Sequence, residues 1–418
     1  MRTWKKTLAV VTAAAAVTAV VAYSNTAADP RPAETWTTAW SVPMQQPSVG
    51  FEPNWSLEGF ADHTVRQVIR TTGGGTTARI TLSNHFGAGE LRIANATIGR
   101  SDRGPQVRPE TLRPLRFDGA EAVTIAPGAE ITSDSAELRL APFESATVTL
   151  YLAERSGPAT FHAQGYTSSY RATGDRVADP DGSAFTEATH SWYYLSDLEM
   201  TGGSATAAET IVAFGDSITD GFGSDNDADN RYTDALAERL AAAGTPRTVL
   251  NAGIGGNMIR TDSAWFGESG LHRFDRDVLS TRGARTVIVF GGLNDIGFSE
   301  VDLPTYKPNP NVTVEDLIAG HRDLIARAHR AGLTAIGATL LPMKGAEYYN
   351  DTSAAKIRAL NAWIRTSGEY DAVVDFHAAV ADPADSEKLN PAFDSGDHKH
   401  PNAAGYAAMA AAFDLGTL

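Results

Sequence analysis

The stretch that decides the fold is Gly215-Asp216-Ser217-Ile218-Thr219-Asp220-Gly221. It directly follows the apolar run Thr210-Ile211-Val212-Ala213-Phe214, which is typical of a buried strand that ends at a glycine. A serine at the carboxyl end of such a strand lies where open α/β sheets place their ligands. Ser217 is therefore the first candidate for a functional residue, although most serines in such turns bond only to their own loop.

Downstream of this stretch, strand-like runs alternate with stretches of helical period. Strands are predicted at 210–214, 248–250, 286–290, 334–341 and 372–376. Helices are predicted at 231–243, around 271–278, after the cap residue Thr313, around 357–364 and at 402–413. Five strands that alternate with helices predict a parallel, doubly wound sheet of flavodoxin-like order.

The chain from residue 33 to residue 200 has a different pattern. Apolar residues occupy every second position, as at Ala78, Ile80 and Leu82, and glycine- or proline-rich breaks separate the runs. This pattern predicts an antiparallel β-sandwich domain, jelly-roll-like in type. Its scattered histidines are interpreted as ordinary, partly buried residues, and they are His63, His85, His162 and His190. The small, uncharged run 201–208 is the predicted linker to a second domain at 209–418.

The first 28 residues have the order of a secretory signal peptide. Arg2, Lys5 and Lys6 precede an apolar, alanine-rich segment, and small residues follow it up to Ala28. An uncleaved membrane anchor is the alternative, but the segment is short for a spanning helix. The sequence therefore predicts an exported protein without stable membrane association after cleavage.

The composition excludes several function classes. The 418 residues include no cysteine, so no disulfide or thiolate metal site is expected. The formal charge of −15 becomes −18 when the three basic residues of the signal segment are removed. Such an acidic chain is not expected to bind nucleic acid by charge. The oligomeric state is left open.

Three polar turns are predicted to converge at the carboxyl edge of the sheet, because each follows one of its first three strands. They carry Ser217, Gly256 within 251–257, and Asn294 within 291–295. Near the C-terminus, Asp397 precedes His400 by three residues, which allows the carboxylate to fold back onto the ring. A histidine that accepts the serine proton, together with glycine N–H groups and an asparagine amide near an oxyanion, is what acyl transfer requires.

These four stretches resemble blocks I, II, III and V of the SGNH/GDSL hydrolase superfamily, in the order of that family. The resemblance covers residues 209–418. It implies that Ser217 is the nucleophile, that Ser217, Gly256 and Asn294 form the oxyanion hole, and that Asp397 and His400 complete the triad. His398 and Lys399 depart from the family pattern, and Asp394 lies close enough to compete with Asp397 for the role of partner. The preceding sandwich is similar to domains found before SGNH domains in some carbohydrate acetyl esterases.

No cofactor or metal site is expected. The acidic loop Asp225–Asn230 resembles the start of a calcium loop, but Asn230 stands where glycine is needed and Leu236 where a bidentate glutamate belongs. The loop is therefore interpreted as a solvated turn that caps the next helix. A nucleophile elbow of the α/β-hydrolase type is excluded, since the position of its final glycine holds Thr219.

The expected function is a serine esterase that cleaves short-acyl, acetyl-type esters of carbohydrates. Aromatic and polar residues after the strands are the expected contacts with a sugar ring: Trp265, Phe266, Tyr306, Lys307, Asn309, Lys344, Tyr348, Tyr349 and Asn350. The alternative within hydrolases is a lipid acylhydrolase of the lysophospholipase kind. The alternative from another class is a carbohydrate-binding protein with a vestigial hydrolase domain.

Overall fold

The computed structural model describes residues 35–203, 209–302, 307 and 309–418. The predicted signal peptide, 1–28, lies outside the described residues, and so does most of the predicted linker. Residues 35–418 cluster as one unit, which contains an N-terminal β region and a C-terminal α/β region. Among the described residues, no helix has the length and apolar character needed to cross a membrane.

The N-terminal β region consists of antiparallel sheets. In chain order its strands are β1 (Thr37–Ser41), β2 (His63–Arg70), β3 (Gly75–Ser83), β4 (Leu91–Ile93), β5 (Asn95–Arg100), β6 (Arg113–Pro114), β7 (Val123–Ile125), β8 (Glu130–Thr132), β9 (Ala136–Leu140), β10 (Ser145–Leu152), β11 (Phe161–His162), β12 (Ser169–Thr173), β13 (Glu187–Thr189), β14 (Trp192–Tyr193) and β15 (Leu195–Thr201). One sheet has the order β1-β15-β3-β8, with β9 also paired to β3, and another has the order β13-β12-β2-β10-β5-β6. The pairs β11-β14 and β4-β7 stand apart from these two sheets.

The C-terminal region is built on a parallel sheet. Its elements are β16 (Thr210–Gly215), α1 (Ser217–Asp220), α2 (Tyr232–Ala242), β17 (Thr248–Gly253), α3 (Gly270–Phe274), β18 (Ala284–Phe290), α4 (Leu293–Glu300), α5 (Val314–Arg330), β19 (Thr334–Ala338), α6 (Asp351–Thr366), β20 (Ala372–Val374), α7 (Phe376–Val380), β21 (Ala381–Asp382), β22 (Asp385–Leu389) and α8 (Ala403–Ala411). The sheet order is β17-β16-β18-β19-β20, and every pairing in it is parallel. This is the 2-1-3-4-5 order of the flavodoxin-like fold, so the predicted fold class is confirmed.

Burial explains why these residues form these elements. All of β16 is buried, as expected for a central strand covered on both faces by helices. The alternating residues of β3, from Ala78 to Leu82, are fully buried and contribute to a separate core in the β region. Thr313 caps α5 as predicted, because its hydroxyl oxygen accepts a hydrogen bond from the N–H of Asp316 at 3.1 Å.

Several short elements escaped the sequence patterns. The helices α4 and α7 and the hairpin β21-β22 are too short to show a full helical or strand period. The fourth strand ends at Ala338 rather than at Leu341, and Leu340 is instead held by two hydrogen bonds to the Asn361 side chain. A loop can bury an apolar run in this way without extending the sheet.

The β region contacts the edge strand of the parallel sheet directly. The hydroxyl oxygen of Thr72 donates to the carbonyl of Val249 at 2.8 Å and accepts from its N–H at 3.0 Å. Val249 belongs to β17, which is an edge strand of the parallel sheet. These two hydrogen bonds fix the position of Thr72 in the β region relative to strand β17.

Burial of His321 gives the stability of the fold a defined pH dependence. Its Nε2–H donates to the carbonyl of Gly291 at 3.2 Å and its Nδ1 accepts from the hydroxyl of Tyr370 at 2.6 Å, so the ring is neutral. Burial lowers the pKa of His321 from 6.5 to about 4. Between pH 6.5 and about pH 4, the unfolded chain therefore binds a proton at His321 that the folded protein excludes. The free energy of unfolding falls as the pH decreases through this range.

We expect His321→Gln, which keeps a donor for Gly291, to remove this contribution to acid sensitivity. Relative to the variant, the wild type should lose about 2 kcal/mol of unfolding free energy between about pH 7.5 and about pH 5. Urea unfolding of both proteins at each pH measures the difference. Burial raises the pKa of Asp216 to about 7 and that of Asp295 to about 6, which gives the opposite trend in both proteins and cancels in the comparison. Parallel pH curves for the two proteins would contradict the prediction.

Candidate active site

Ser217 lies at the start of α1, directly after the central strand β16. The carboxylate of Asp216 caps this short helix by accepting from the N–H of Ile218 at 3.1 Å. The turn requires glycine at position 215, because a Cβ there would lie 2.1 Å from the hydroxyl oxygen of Thr219. Only 7% of Ser217 is exposed, and its Oγ lies 2.7 Å from Nε2 of His400.

His400 and Asp397 lie in the loop before α8, next to Ser217. The Nδ1 of His400 is 2.5 Å from Oδ2 of Asp397, and the other oxygen of that carboxylate accepts from the N–H of His400 at 2.9 Å. Asp394 contacts a different ring, since its Oδ2 lies 2.6 Å from Nδ1 of His398. The ring of Phe222 packs on the ring of His400 with a centroid distance of 4.3 Å. The structure therefore brings Ser217, His400 and Asp397 into one hydrogen-bonded row.

The electrostatics of this row follow from its burial. Burial lowers the pKa of His400 below its usual 6.5, although the hydrogen bond and charge of Asp397 act in the opposite direction. Burial alone would raise the pKa of Asp397, but the hydrogen bonds and charge of His400 bring it well below its usual range. At neutral pH the ring is thus neutral and can accept a proton at Nε2, while the carboxylate is ionised.

Gly256 lies in a tight turn that follows β17. The turn is closed by a hydrogen bond from the N–H of Asn257 to the carbonyl of Ile254 at 3.1 Å, and Gly256 has a φ of +73°. A Cβ at this position would lie 2.1 Å from the ring of Phe266, so both conformation and space require glycine. Within the described part of the chain, the N–H of Gly256 forms no hydrogen bond.

Asn294 lies in the first turn of α4, after β18. Its side-chain Nδ2 donates to the carbonyl of Asn257 at 3.1 Å, which joins it to the turn that contains Gly256. An amide nitrogen carries two protons, so the second one is available to a ligand. Ser217, Gly256 and Asn294 are each buried, and the contact of Asn294 is with Asn257, the residue after Gly256.

Arg273 is an organising residue of the site that the sequence did not reveal. Its side chain is fully buried in α3, and it donates to the carbonyls of Gly215 at 2.7 Å and Ala252 at 2.9 Å. It also donates to the side chain of Asn257 at 2.9 Å, and Asp277 balances its charge at 3.1 Å. One guanidinium therefore connects the ends of the first two strands with the turn between Ile254 and Asn257. An arginine among apolar helix residues gives no signal of this role in the sequence.

The acidic loop Asp225–Asn230 is largely exposed, as interpreted, but it does not cap the following helix, so that part of the interpretation was wrong. The N-cap position of α2 is Arg231, and its N–H donates to the carboxylate of Asp234 at 3.2 Å. The carboxylate of Asp227 instead accepts from the N–H and the hydroxyl of Ser168 in the β region, both at 2.6 Å. Among the described residues, no group of three metal-ligating side chains is positioned to hold a metal ion.

Most of the expected sugar contacts are engaged in their own loops. Phe266 is buried and stacks on Phe298 at 5.1 Å, Asn350 caps α6, and the hydroxyl of Tyr349 donates to Glu387 at 2.6 Å. Two lysines form ion pairs, Lys344 with Asp385 and Lys307 with Asp302. The side chain of Asn309 donates to backbone carbonyls, and Tyr348 is buried under Lys399. Tyr306 lies outside the described residues. Trp265 is half-buried beside the exposed ring of Phe51.

A serine, a neutral histidine and a carboxylate in one row, at the carboxyl edge of a 2-1-3-4-5 sheet, form the arrangement used by serine hydrolases. Residues 213–408 match the model of the GDSL-like lipase/acylhydrolase family, and this range includes all five predicted site residues. The chain therefore carries a domain of that family, as the sequence resemblance implied, and the protein is a hydrolase of the esterase class.

Solved structures similar to the chain cover about half of it. A lipase/acylhydrolase from Enterococcus faecalis is 23% identical, with a TM-score of 0.38, and the match covers 49% of this chain and 92% of that one. An acetylxylan esterase from Geobacillus stearothermophilus is 24% identical, with a TM-score of 0.37 and coverage of 49% and 92%. A GDSL-like lipase from Bacteroides thetaiotaomicron is 18% identical, with a TM-score of 0.37 and coverage of 50% and 88%. No curated protein matches the chain.

Proposed function

We propose that the protein hydrolyses carboxylic esters through a Ser217-His400-Asp397 triad. The observation that carries the proposal is the row of short contacts, 2.7 Å from the serine oxygen to the ring and 2.5 Å from the ring to the carboxylate. Nε2 of His400 takes the proton of Ser217 as Oγ attacks the ester carbonyl. Asp397 keeps the other ring proton on Nδ1 and stabilises the imidazolium that forms.

The attack of Oγ forms a tetrahedral intermediate, which is stabilised and then collapses to an acyl-enzyme. Its oxyanion accepts hydrogen bonds from the N–H groups of Ser217 and Gly256 and from the Asn294 amide. His400 returns its proton to the leaving alcohol, and an acyl group stays on Ser217. Water, deprotonated by the same ring, attacks the acyl group and releases the carboxylic acid, which restores the free serine.

Removal of the proposed side-chain donor tests the oxyanion hole. Asn294→Ala should lower kcat by about 10²–10³-fold with little change in KM, because the donor acts on charge that develops only in the transition state. Steady-state kinetics on an activated acetyl ester measure both constants, and the thermal midpoint shows whether the fold is intact. A change confined to KM would instead make Asn294 a residue that binds the ground state.

For the substrate, we propose a short acyl group, acetyl first, on a polar, sugar-like alcohol. The aromatic pair of Phe51 and Trp265 supports a ring-shaped alcohol, since its rings lie 6.4 Å apart beside the Gly256 turn. A lipid acylhydrolase is the second candidate. It is favoured by three exposed apolar residues in one loop of the β region: Val49 at 53%, Phe51 at 42% and Leu57 at 51% exposure.

Acyl-chain length separates the two candidates. Acetyl, butyryl and decanoyl esters of one alcohol are compared first, followed by acetylated xylan and a lysophospholipid. The carbohydrate proposal expects kcat/KM to be highest for the acetyl ester and expects release of acetate from xylan. A preference for the decanoyl ester and the lysophospholipid would reject that substrate and leave the triad in place.

We also propose that the protein is exported. The order of basic, apolar and small residues in 1–28 supports this proposal. Expression of the full chain should give a mature protein in the medium that begins at Asp29. A product that stays in the membrane fraction with residue 2 intact would instead support the anchor.

A further inference from the structure

A histidine of the β region reaches the element that carries Ser217. His162 in β11 is 1% exposed, and its Nε2 lies 3.0 Å from Oδ1 of Asp220, the last residue of α1. Its Nδ1 lies 3.0 Å from the carbonyl of Pro43, and Trp192 stacks on its ring at 5.8 Å. The ring is therefore held on both edges and on one face, and it has little freedom to turn.

Asp220 carries this contact to the turn that contains Gly256. Its second oxygen, Oδ2, accepts from the N–H of Gly255 at 2.9 Å. Gly255 and Gly256 are the two central residues of the turn, so the position of the peptide group of Gly255 helps to set the direction of the next N–H. The contacts therefore run from His162 through Asp220 to the N–H that the proposed mechanism aims at the oxyanion.

Burial makes the hydrogen bond between His162 and Asp220 important for the local structure. The carbonyl of Pro43 can only accept, so Nδ1 carries a proton in that hydrogen bond. Nε2 and Oδ1 of Asp220 share one proton across 3.0 Å, between side chains that are 1% and 3% exposed. Removal of the ring nitrogen leaves a buried oxygen of Asp220 without its hydrogen-bond partner, and this costs the desolvation of that oxygen.

The β region also covers the turn by direct packing. A Cβ at Gly255 would lie 2.5 Å from Oε1 of Gln164 and 3.0 Å from the ring of Phe51. Both residues belong to the β region, and Gln164 is 4% exposed. The turn is thus enclosed by residues far earlier in the chain, and its conformation depends on them.

We propose that His162 is a positioning residue for the oxyanion-binding turn, acting through Asp220 and Gly255. On this proposal the β region completes the active site instead of serving only as a neighbouring module. The inference rests on the proposed function, because it assigns an effect on the step in which Gly256 stabilises the oxyanion.

Two amide variants of His162 separate positioning from general stability. The amide nitrogen of glutamine corresponds to Nε2 and can still donate to Asp220, whereas that of asparagine corresponds to Nδ1 and can donate only to Pro43. We expect His162→Asn to lower kcat by about 10–100-fold, which is the loss that misplacement of one oxyanion donor produces. KM should change less than about twofold, because the donor acts mainly in the transition state. His162→Gln should recover most of the lost kcat.

A transition-state analogue gives a second readout. Butylboronic acid forms a tetrahedral anion on an active-site serine, so its affinity should fall in His162→Asn by the same factor as kcat. Thr72→Val is the matched control, because it removes hydrogen bonds between the same two regions at Val249, away from the turn. It should lower the thermal midpoint while leaving kcat and boronate affinity unchanged.

The possible outcomes are distinct. Equal kcat in wild type, His162→Asn and His162→Gln would overturn the proposal, and so would a loss of kcat in Thr72→Val as large as that in His162→Asn. If His162→Asn does not fold, a kcat in His162→Gln far below that of Thr72→Val would overturn the proposal, because glutamine keeps the donor to Asp220. Failure of the proposed function has a different signature, namely wild-type esterase activity that does not depend on Ser217.

Discussion

Ser217→Ala is expected to lower kcat by about 10⁶-fold, and His400→Ala should lower it by a similar factor. The reason is that the two side chains lie 2.7 Å apart and act in the same step, the transfer of one proton from Ser217 to His400. Without the ring, the hydroxyl is a poor nucleophile, and without the hydroxyl, the ring has no attacking group to activate. The double variant should therefore be hardly slower than either single variant.

Ser224→Ala is the matched control for this experiment. The hydroxyl of Ser224 is buried near the site and has no hydrogen-bond partner among the described residues, so its loss should leave kcat unchanged. Stopped-flow hydrolysis of an activated acetyl ester measures all four variants, and the thermal midpoint shows that each one is folded. Full activity in Ser217→Ala would exclude the mechanism, and additive losses in the double variant would separate the roles of the two residues.

The fold was predictable because its signals are local. Strands β16 and β18 are apolar on both faces, as central parallel strands must be, and the helices between them show a clear helical period. The 2-1-3-4-5 order then follows from the general behaviour of alternating strands and helices. The short elements α4 and α7 were not predicted, because fewer than three turns give no reliable period.

Residues of the candidate site fall into two groups. Ser217, Gly256 and Asn294 were identifiable because each follows a strand of the sheet, and topology brings the ends of those strands together. Arg273 and His162 were not identifiable, because each reaches the turn of Ser217 across 58 residues of chain, Arg273 at Gly215 and His162 at Asp220. Nothing within a few residues of either one distinguishes it from an ordinary buried side chain.

The expected sugar contacts show that one residue type can serve several purposes. Asn350 and Tyr349 are of a type that suits sugars, but the same groups also satisfy local needs, as a helix cap and as a partner for Glu387. The residue type alone does not show whether a side chain binds a ligand or stabilises its own loop. Nothing in the sequence around Phe51 relates it to the site, because it lies in the β region, far in sequence from the turn that it covers.

Asp397→Asn is expected to lower kcat by about 10⁴-fold, whereas Asp394→Asn should change it by less than about tenfold. Asp397 holds both the Nδ1 edge of His400, at 2.5 Å, and the N–H of the same residue, at 2.9 Å. An asparagine whose oxygen keeps the backbone contact turns its amide nitrogen, which is a donor, towards Nδ1 of the ring. It therefore favours the tautomer with the proton on Nε2, which cannot accept the proton of Ser217.

Asp394 provides a demanding control because it is chemically identical and only three residues away. It holds the Nδ1 of His398 at 2.6 Å and the N–H groups of Gly396 and His398, so its replacement should loosen the loop without changing the tautomer of His400. Values of kcat and KM for both variants, measured from about pH 5 to about pH 9, separate the two effects. A tautomer fault persists at every pH, whereas a loosened loop should appear mainly as a higher KM and a lower thermal midpoint. Equal, mild losses from the two variants would mean that His400 is oriented by a group other than Asp397.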